Sequence, residues 1–313
     1  MSLPSDPDAL DAARGELAMW APMLEHIASR HGLRGAPRPV ADGTLPVFAY
    51  PDCVVKLYAP DRLWRADGAL DRSADFEVER GLLGCVGSAG PAVLGDGERD
   101  GWFHLVQTRV EGRPLEQVVE GLAPHARHAA LRGLGRAVRA LHDTPPPAVP
   151  FAVPDFDAFL DSQVRDVVAI EETRGAPREW LDRLDAFVRS VPRGARRPAL
   201  LHTELGPGHA LAAPDGSLRG LIDFVDAMVG DPEYDFAAVA FFITRGDGDA
   251  LGAFLDGYAW DGPRGVALAR SLLRYLLLHR FAPLKWLLAR RPPGDARDLE
   301  SLAERWMGVA PGW

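Results

Sequence analysis

One stretch restricts the possible folds of this chain more than any other. It runs from Leu200 to Phe236 and reads L-L-H-T-E-L-G-P-G-H-A-L-A-A-P-D-G-S-L-R-G-L-I-D-F-V-D-A-M-V-G-D-P-E-Y-D-F. An apolar run, Ala199 to Leu201, delivers His202, Thr203 and Glu204 into a Gly-Pro-Gly loop that ends at His209. A short strand from Ala210 to Ala213 then meets a Pro214-Asp215-Gly216 turn. A second strand, Gly220 to Ile222, ends in Asp223-Phe224. The pattern predicts a hairpin with a carboxylate at each strand mouth, an arrangement suited to holding a divalent metal and a phosphate.

The rest of the chain must supply a body for that hairpin. With 313 residues, 47% of them apolar, a substantial core in two lobes is expected. No window approaches the roughly 18 consecutive apolar residues of a membrane span, and Met1 to Pro7 lacks the features of a secretory leader. A cytoplasmic protein without membrane contact is therefore expected, as a monomer or homodimer. Cys53 and Cys85 lack metal-ligand spacing and read as reduced core thiols. A net charge of −9 argues against a nucleic-acid partner and would steer a cationic small molecule.

Residues 8–31 carry apolar positions at helical spacing, predicting an amphipathic helix that ends near Gly32 and is kinked or split at Pro22. From Arg38 the texture turns to short β runs, with a turn at Asp42-Gly43-Thr44 and a hairpin whose second strand is Cys53 to Tyr58. That strand carries Lys56, one of only two lysines in an arginine-favouring chain. A helix over 69–84 contains Glu77 and Glu79, and further strands lie at 93–94 and 102–107. The β texture ends near Thr108, giving expected lobes of 1–107 and 108–313. Helices are expected at 123–143, 155–173, 177–190, 232–244, 249–258, 264–291 and 296–308.

This order of motifs resembles the aminoglycoside phosphotransferase family, small-molecule kinases of the protein-kinase-like fold. That family carries H-G-D-x-x-x-x-N, then I-D-F or I-D-W, then G-D-P-x-x-D; here the frame reads H-T-E-L-G-P-G-H, I-D-F and G-D-P-E-Y-D. Val55-Lys56-Leu57 resembles its lysine strand, Val110 to Leu115 its V-x-G-x-x-L, and Leu141-His142 the L-H closing a helix. The tail, with Leu278 to Phe281 and Arg305 to Gly308, looks most like hygromycin B phosphotransferases. The likeness covers roughly residues 38–308. It implies a bilobal α+β fold with a small β-rich lobe and a larger helical one.

The resemblance also implies roles. Lys56 contacts nucleotide phosphates and pairs with a helix carboxylate, for which Glu77 is chosen with Glu79 as fallback. Gly43 and Thr44 cover the phosphates, and Gln107 and Arg109 join the nucleotide contacts. Asp223 binds Mg²⁺, with His209 at the position of a second metal ligand. Glu204 orients the acceptor hydroxyl, and His202 anchors the loop. Three letters depart from the family. Glu204 adds a methylene to the catalytic carboxylate, moving it by roughly 1–1.5 Å. His209 offers imidazole, which favours Zn²⁺-type metals over Mg²⁺. Thr203 stands where a glycine allows φ > 0, so a backbone without positive φ is expected there. Acidic residues between Asp155 and Asp185 suggest a wall for an amino-sugar. The implied activity is transfer of the γ-phosphoryl of ATP or GTP to a hydroxyl of an antibiotic-like natural product, in resistance or self-protection. The alternative is a nucleotide- or metabolite-binding regulator without turnover.

Overall fold

A computed structural model describes residues 3–4, 6–40, 43–60, 74–193 and 197–309. The chain divides into two compact units. The first takes Met1–Glu111, Pro147–Ala152 and Gly220–Asp226, and the second takes Gly112–Pro146, Val153–Arg219 and Ala227–Trp313.

The first unit is built on a five-stranded antiparallel sheet. Its strands are β1 (Arg38–Pro39), β2 (Val47–Ala49), β3 (Cys53–Tyr58), β4 (Val93–Arg99) and β5 (Trp102–Thr108), in the order β1-β2-β3-β5-β4. The β3–β5 register places Lys56 opposite Leu105 and Val55 opposite Val106. Helices α1 (Pro7–Ala13) and α2 (Leu17–His31) precede the sheet, and α3 (Asp75–Leu83) lies between β3 and β4. Trp20 of α2 packs edge-on to Trp102 of β5, with ring centroids 4.9 Å apart, in a core completed by Phe48, Val55 and Leu57. Truncating such a fully buried tryptophan to alanine would cost about 3–5 kcal/mol.

The leading helix does break, but not at Pro22. The interruption is at Arg14 to Glu16, around Gly15, and Pro22 sits inside α2. The proline's carbonyl is used from outside, accepting a bond from the Arg99 guanidinium at 3.0 Å. Gly32 ends α2 in the left-handed conformation at φ 67°, its N–H reaching the Ala28 carbonyl, as a glycine C-cap should. Residues 61–73, including the first part of the expected 69–84 helix, and Asp42 lie outside the described residues.

In the second unit a short β6 (Arg113–Pro114) leads into α4 (Leu115–Val118), then α5 (Pro124–His142), α6 (Phe156–Thr173) and α7 (Arg178–Ser190). Strand β7 (Ala199–Leu201) enters the loop of His202 to His209. Strands β8 (Ala210–Ala212) and β9 (Leu218–Leu221) follow, separated by the expected turn, in which Asp215 accepts from the Ser217 N–H. Strand β10 (Met228–Gly230) pairs antiparallel with β7. Helices α8 (Glu233–Ala238), continued by a π-turn at Val239–Ile243, α9 (Gly248–Tyr258), α10 (Gly265–Leu277), α11 (Leu284–Arg290) and α12 (Leu299–Met307) complete the unit.

Helices α5 and α9 approach closely. A Cβ on Gly257 would meet the Arg132 carbonyl oxygen at 2.2 Å, so this crossing excludes any side chain there. The expected single helix over 264–291 is two, α10 and α11, parted at Leu278 to Pro283. Pro283 has no N–H to extend a helix and instead starts α11. The break turns the His279 ring onto the Thr203 carbonyl.

Candidate active site

In the first unit Lys56 lies at the centre of a buried ion cluster. The alternation of β3 turns its side chain inward, leaving the residue 6% exposed. Its ammonium donates to Glu79 Oε1 at 2.6 Å and to Asp223 Oδ1 at 2.8 Å. Tyr58 Oη donates to the second Glu79 oxygen at 2.6 Å. Burial alone would pull the Lys56 pKa down, but the carboxylates of Asp223 and Glu79 outweigh it and hold the ammonium above its ordinary range. For Glu79 burial dominates and raises the pKa, against the pull of Lys56. A charged lysine taken this far out of water is stable only because both carboxylates satisfy it.

The Lys56 partner is therefore Glu79, and the choice of Glu77 is corrected. Glu77 has apolar neighbours in sequence, Phe76 and Val78, but helix neighbours lie three and four residues away. Glu79 shares its face with Phe76, Leu82 and Leu83, all buried, whereas Glu77 points to solvent.

Gly43 and Thr44 lie exposed in the β1–β2 connection, where the Gly43 carbonyl accepts from Arg14 at 2.7 Å. Gly43 has φ 128°, a conformation that a side chain rarely adopts. Gln107, on β5, is buried, and its side-chain oxygen has no protein partner among the described residues. Arg109 is exposed, and its guanidinium donates to the Tyr50 carbonyl at 3.4 Å.

Asp223 has φ 69°, unusual for a residue other than glycine, and its carboxylate remains about one-third exposed. That half-open carboxylate fits a hard cation such as Mg²⁺, which takes one or two carboxylates and draws its other ligands from water and phosphate. No group of three or more His, Cys, Asp or Glu side chains able to hold a metal by themselves occurs among the described residues.

In the second unit the His202–His209 loop hangs on one buried carboxylate. Asp235, in the first turn of α8, accepts from the Thr203 N–H at 2.7 Å, the His202 N–H at 2.8 Å and His142 Nε2 at 2.9 Å. The Asp235 carboxylate can only accept, so His142 carries a proton on Nε2, and its Nδ1 lies 2.9 Å from Tyr258 Oη. Burial would raise the Asp235 pKa, but the bonds from His142 and the His202 N–H bring it below the ordinary value. His142 and His279 are thus hydrogen-bonded structural histidines: His279 Nε2 donates to the Thr203 carbonyl at 2.8 Å. Burial lowers its pKa to about 4 and keeps it neutral.

This clamp overturns the expectation about Thr203, which takes φ 69° despite its β-branched side chain. The left-handed region costs an L-residue roughly 1–2 kcal/mol, and more when β-branched. Bonds to both the N–H and the carbonyl of Thr203 hold it there. A left-handed turn is thus held here without a glycine.

His202 is fully buried, and its Nδ1 accepts from the Glu204 N–H at 3.3 Å. It orders the loop from within. Glu204 is half-buried. Its carbonyl accepts from His209 Nδ1 at 2.6 Å. His209 therefore carries a proton on Nδ1. Glu116 of α4, missed in the sequence because α4 has a single turn, accepts from the Gly208 N–H at 3.2 Å.

The expected acidic wall is largely occupied. Asp155 caps α6. Asp157 and Asp161 pair with Arg193, Asp166 with Arg165, Glu171 with Arg174, Glu172 and Asp182 with Arg178, and Asp185 with Arg189.

Comparison with known proteins places this geometry. The phosphotransferase enzyme family matches the chain over residues 52–269, more than half of its length. Among solved structures, aminoglycoside phosphotransferase APH(2'')-Ib in its ADP-bound form has a TM-score of 0.60 at 18% identity, covering 92% of this chain and 99% of its own. APH(3'')-Id from Streptomyces rimosus, solved with ADP and streptomycin, has a TM-score of 0.54 at 23% identity, covering 86% and 98%. Macrolide 2'-phosphotransferase type I has a TM-score of 0.53 at 18% identity, covering 99% and 100%. At these identities the likeness is one of fold.

Proposed function

The chain belongs to the phosphotransferase enzyme family, and we propose that it transfers the γ-phosphoryl group of ATP or GTP to a hydroxyl of an antibiotic-like natural product. The observation that carries this reading is the buried cluster of Lys56, Glu79 and Asp223. An ammonium fixed between two carboxylates gains little for stability over apolar packing, so its retention suits a phosphate-binding role.

Phosphoryl transfer asks a protein mainly for charge neutralisation and positioning. Lys56 neutralises nucleotide phosphate, with Glu79 and Tyr58 fixing its direction. Asp223 is the candidate ligand for Mg²⁺, which when bound would supply charge neutralisation to the phosphates. The buried amide of Gln107, whose oxygen lacks a protein partner, is a candidate contact for the nucleotide base, with Arg109 and the Gly43-Thr44 turn as further nucleotide contacts. Glu204 accepts the acceptor's hydroxyl hydrogen bond and orients the oxygen for attack. His202 and Asp235 hold its backbone. The longer reach of Glu204 is compatible with this role, because the loop around it is tied at Thr203 and at Gly208.

The test is nucleotide consumption by the full chain with Mg²⁺ against a panel of hydroxylated antibiotics. ADP or GDP release that depends on one acceptor supports the reading. Nucleotide binding with no acceptor consumed by any member would favour the regulatory alternative.

A further inference from the structure

Beside Glu204 the second unit holds a recess of about 150 Å³. Its polar lining is the loop, with Glu204 and His209 among it, and His279; its apolar wall includes Phe242, Phe281 and Trp286. Phe242 and Trp286 lie with ring centroids 5.7 Å apart and their planes tilted by 48°. Phe281 and Trp286 are among the few large apolar side chains left exposed, at 38% and 42%. A lined cavity of roughly this volume accepts one benzene-sized group.

Two arginines lie over the aromatic side chains of the recess. The Arg290 guanidinium lies 5.3 Å from the Trp286 ring centroid and 5.6 Å from that of Phe242. Arg280 lies 4.6 Å from Phe281. These cations already occupy ring faces that an ammonium-bearing ligand would use, and they repel a second cation. Most carboxylates of α6 and α7 that might attract a polycation are engaged with Arg165, Arg174, Arg178, Arg189 and Arg193.

We propose that this recess is the acceptor's recognition subsite, and that the acceptor is a hydroxylated molecule bearing one planar apolar or aromatic ring and no cluster of positive charge. This rests on the phosphotransferase reading, because it is the position of the recess against Glu204 that makes its occupant the acceptor. It departs from the cationic amino-sugar suggested by the acidic sequence between Asp155 and Asp185. An aromatic ring seated against Phe242 and Trp286 in the recess leaves its attached hydroxyl-bearing group near Glu204.

Calorimetric titration of the full chain tests this, with phenyl β-D-glucopyranoside as the uncharged aryl probe and streptomycin as the polycation. The aryl glycoside is expected to bind and streptomycin to give no heat at the same concentration. Trp286→Ala and Phe242→Ala should each weaken aryl binding about tenfold, the scale of one lost aromatic contact. Trp286 is exposed enough for its variant to fold, and circular dichroism checks it. The proposal is overturned if the aryl glycoside does not bind, if both variants bind it as the parent does, or if streptomycin binds more tightly. Acceptor-dependent ADP release, measured separately, distinguishes the two failures. Streptomycin phosphorylated in preference to aryl glycosides would end the subsite proposal and leave the phosphotransferase reading standing. Ring-dependent binding in a chain that phosphorylates nothing would end the phosphotransferase reading and the acceptor role with it, leaving the recess as an aryl-binding site only.

Discussion

Replacing Asp235 with asparagine should release the loop that carries Glu204. The carboxylate accepts three hydrogen bonds of 2.7, 2.8 and 2.9 Å from Thr203, His202 and His142 and is fully buried. Asparagine has one acceptor oxygen, and its amide group must face at least one of those donors. Losing a bond to a charged acceptor removes about 1.5–3 kcal/mol, and leaving a buried N–H unsatisfied adds about 1–3 kcal/mol. The expected destabilisation is about 3–5 kcal/mol, the range for breaking a buried charged network on one side. The backbone strain at Thr203 acts in the same direction, since φ 69° relaxes once its N–H is released. The assay is amide hydrogen exchange at His202 and Thr203, with Val106 in the sheet of the first unit as an internal reference. Protection of the two loop amides should fall by roughly two orders of magnitude or more, with Val106 little changed. Protection retained within a few-fold of the parent would show that the carboxylate does not hold the loop, and the account of Thr203 would fail with it.

Other expectations follow from single contacts. Glu79→Gln should weaken nucleotide binding at least tenfold and destabilise the first unit by about 3–5 kcal/mol, because Lys56 would lose a charge partner in a buried site; Glu77→Gln should change stability by less than about 0.5 kcal/mol. Equal effects in denaturant titration would refute the assignment. His31 Nε2 and His104 Nε2 are 3.0 Å apart, so one must donate and the other accept. Burial, then the charges of His31 and Arg30, lowers the His104 pKa to about 4, while the unfolded value is 6.5. The unfolded chain therefore binds more protons between these values, and stability should be intact above pH 6.5 and decline as pH falls toward 4. His104→Gln should flatten the decline, and an unaltered pH profile in that variant would count against the pair.

Much of the fold is written locally in the sequence. The hairpin strands, the Gly32 cap and most helices of the second unit follow periodicity and turn chemistry, which depend on near neighbours. Where reading failed, the deciding contact was distant or three-dimensional. Glu79 was legible in principle, because its i−3, i+3 and i+4 neighbours are apolar, but reading adjacent residues favoured Glu77. Thr203 looked incompatible with a left-handed turn because its holders, Asp235 and His279, are 32 and 76 residues away. The acidic character of 155–185 is plain in the sequence, but arginines one helical turn away neutralise much of it. The aromatic recess joins residues from the 203–209 loop, the π-turn after α8 and the α10–α11 break, and no sequence window contains them all.

The central claim is that Glu204 serves phosphoryl transfer despite standing where the family carries aspartate. Phosphorus NMR of the full chain with Mg²⁺-nucleotide and the accepted hydroxyl compound tests it, with Glu204→Gln alongside and nucleotide affinity measured for both. A phosphate monoester should form with the parent, and the variant should form it at least about 100-fold more slowly while binding nucleotide as the parent does. Monoester formation at the parent's rate in Glu204→Gln would contradict the account.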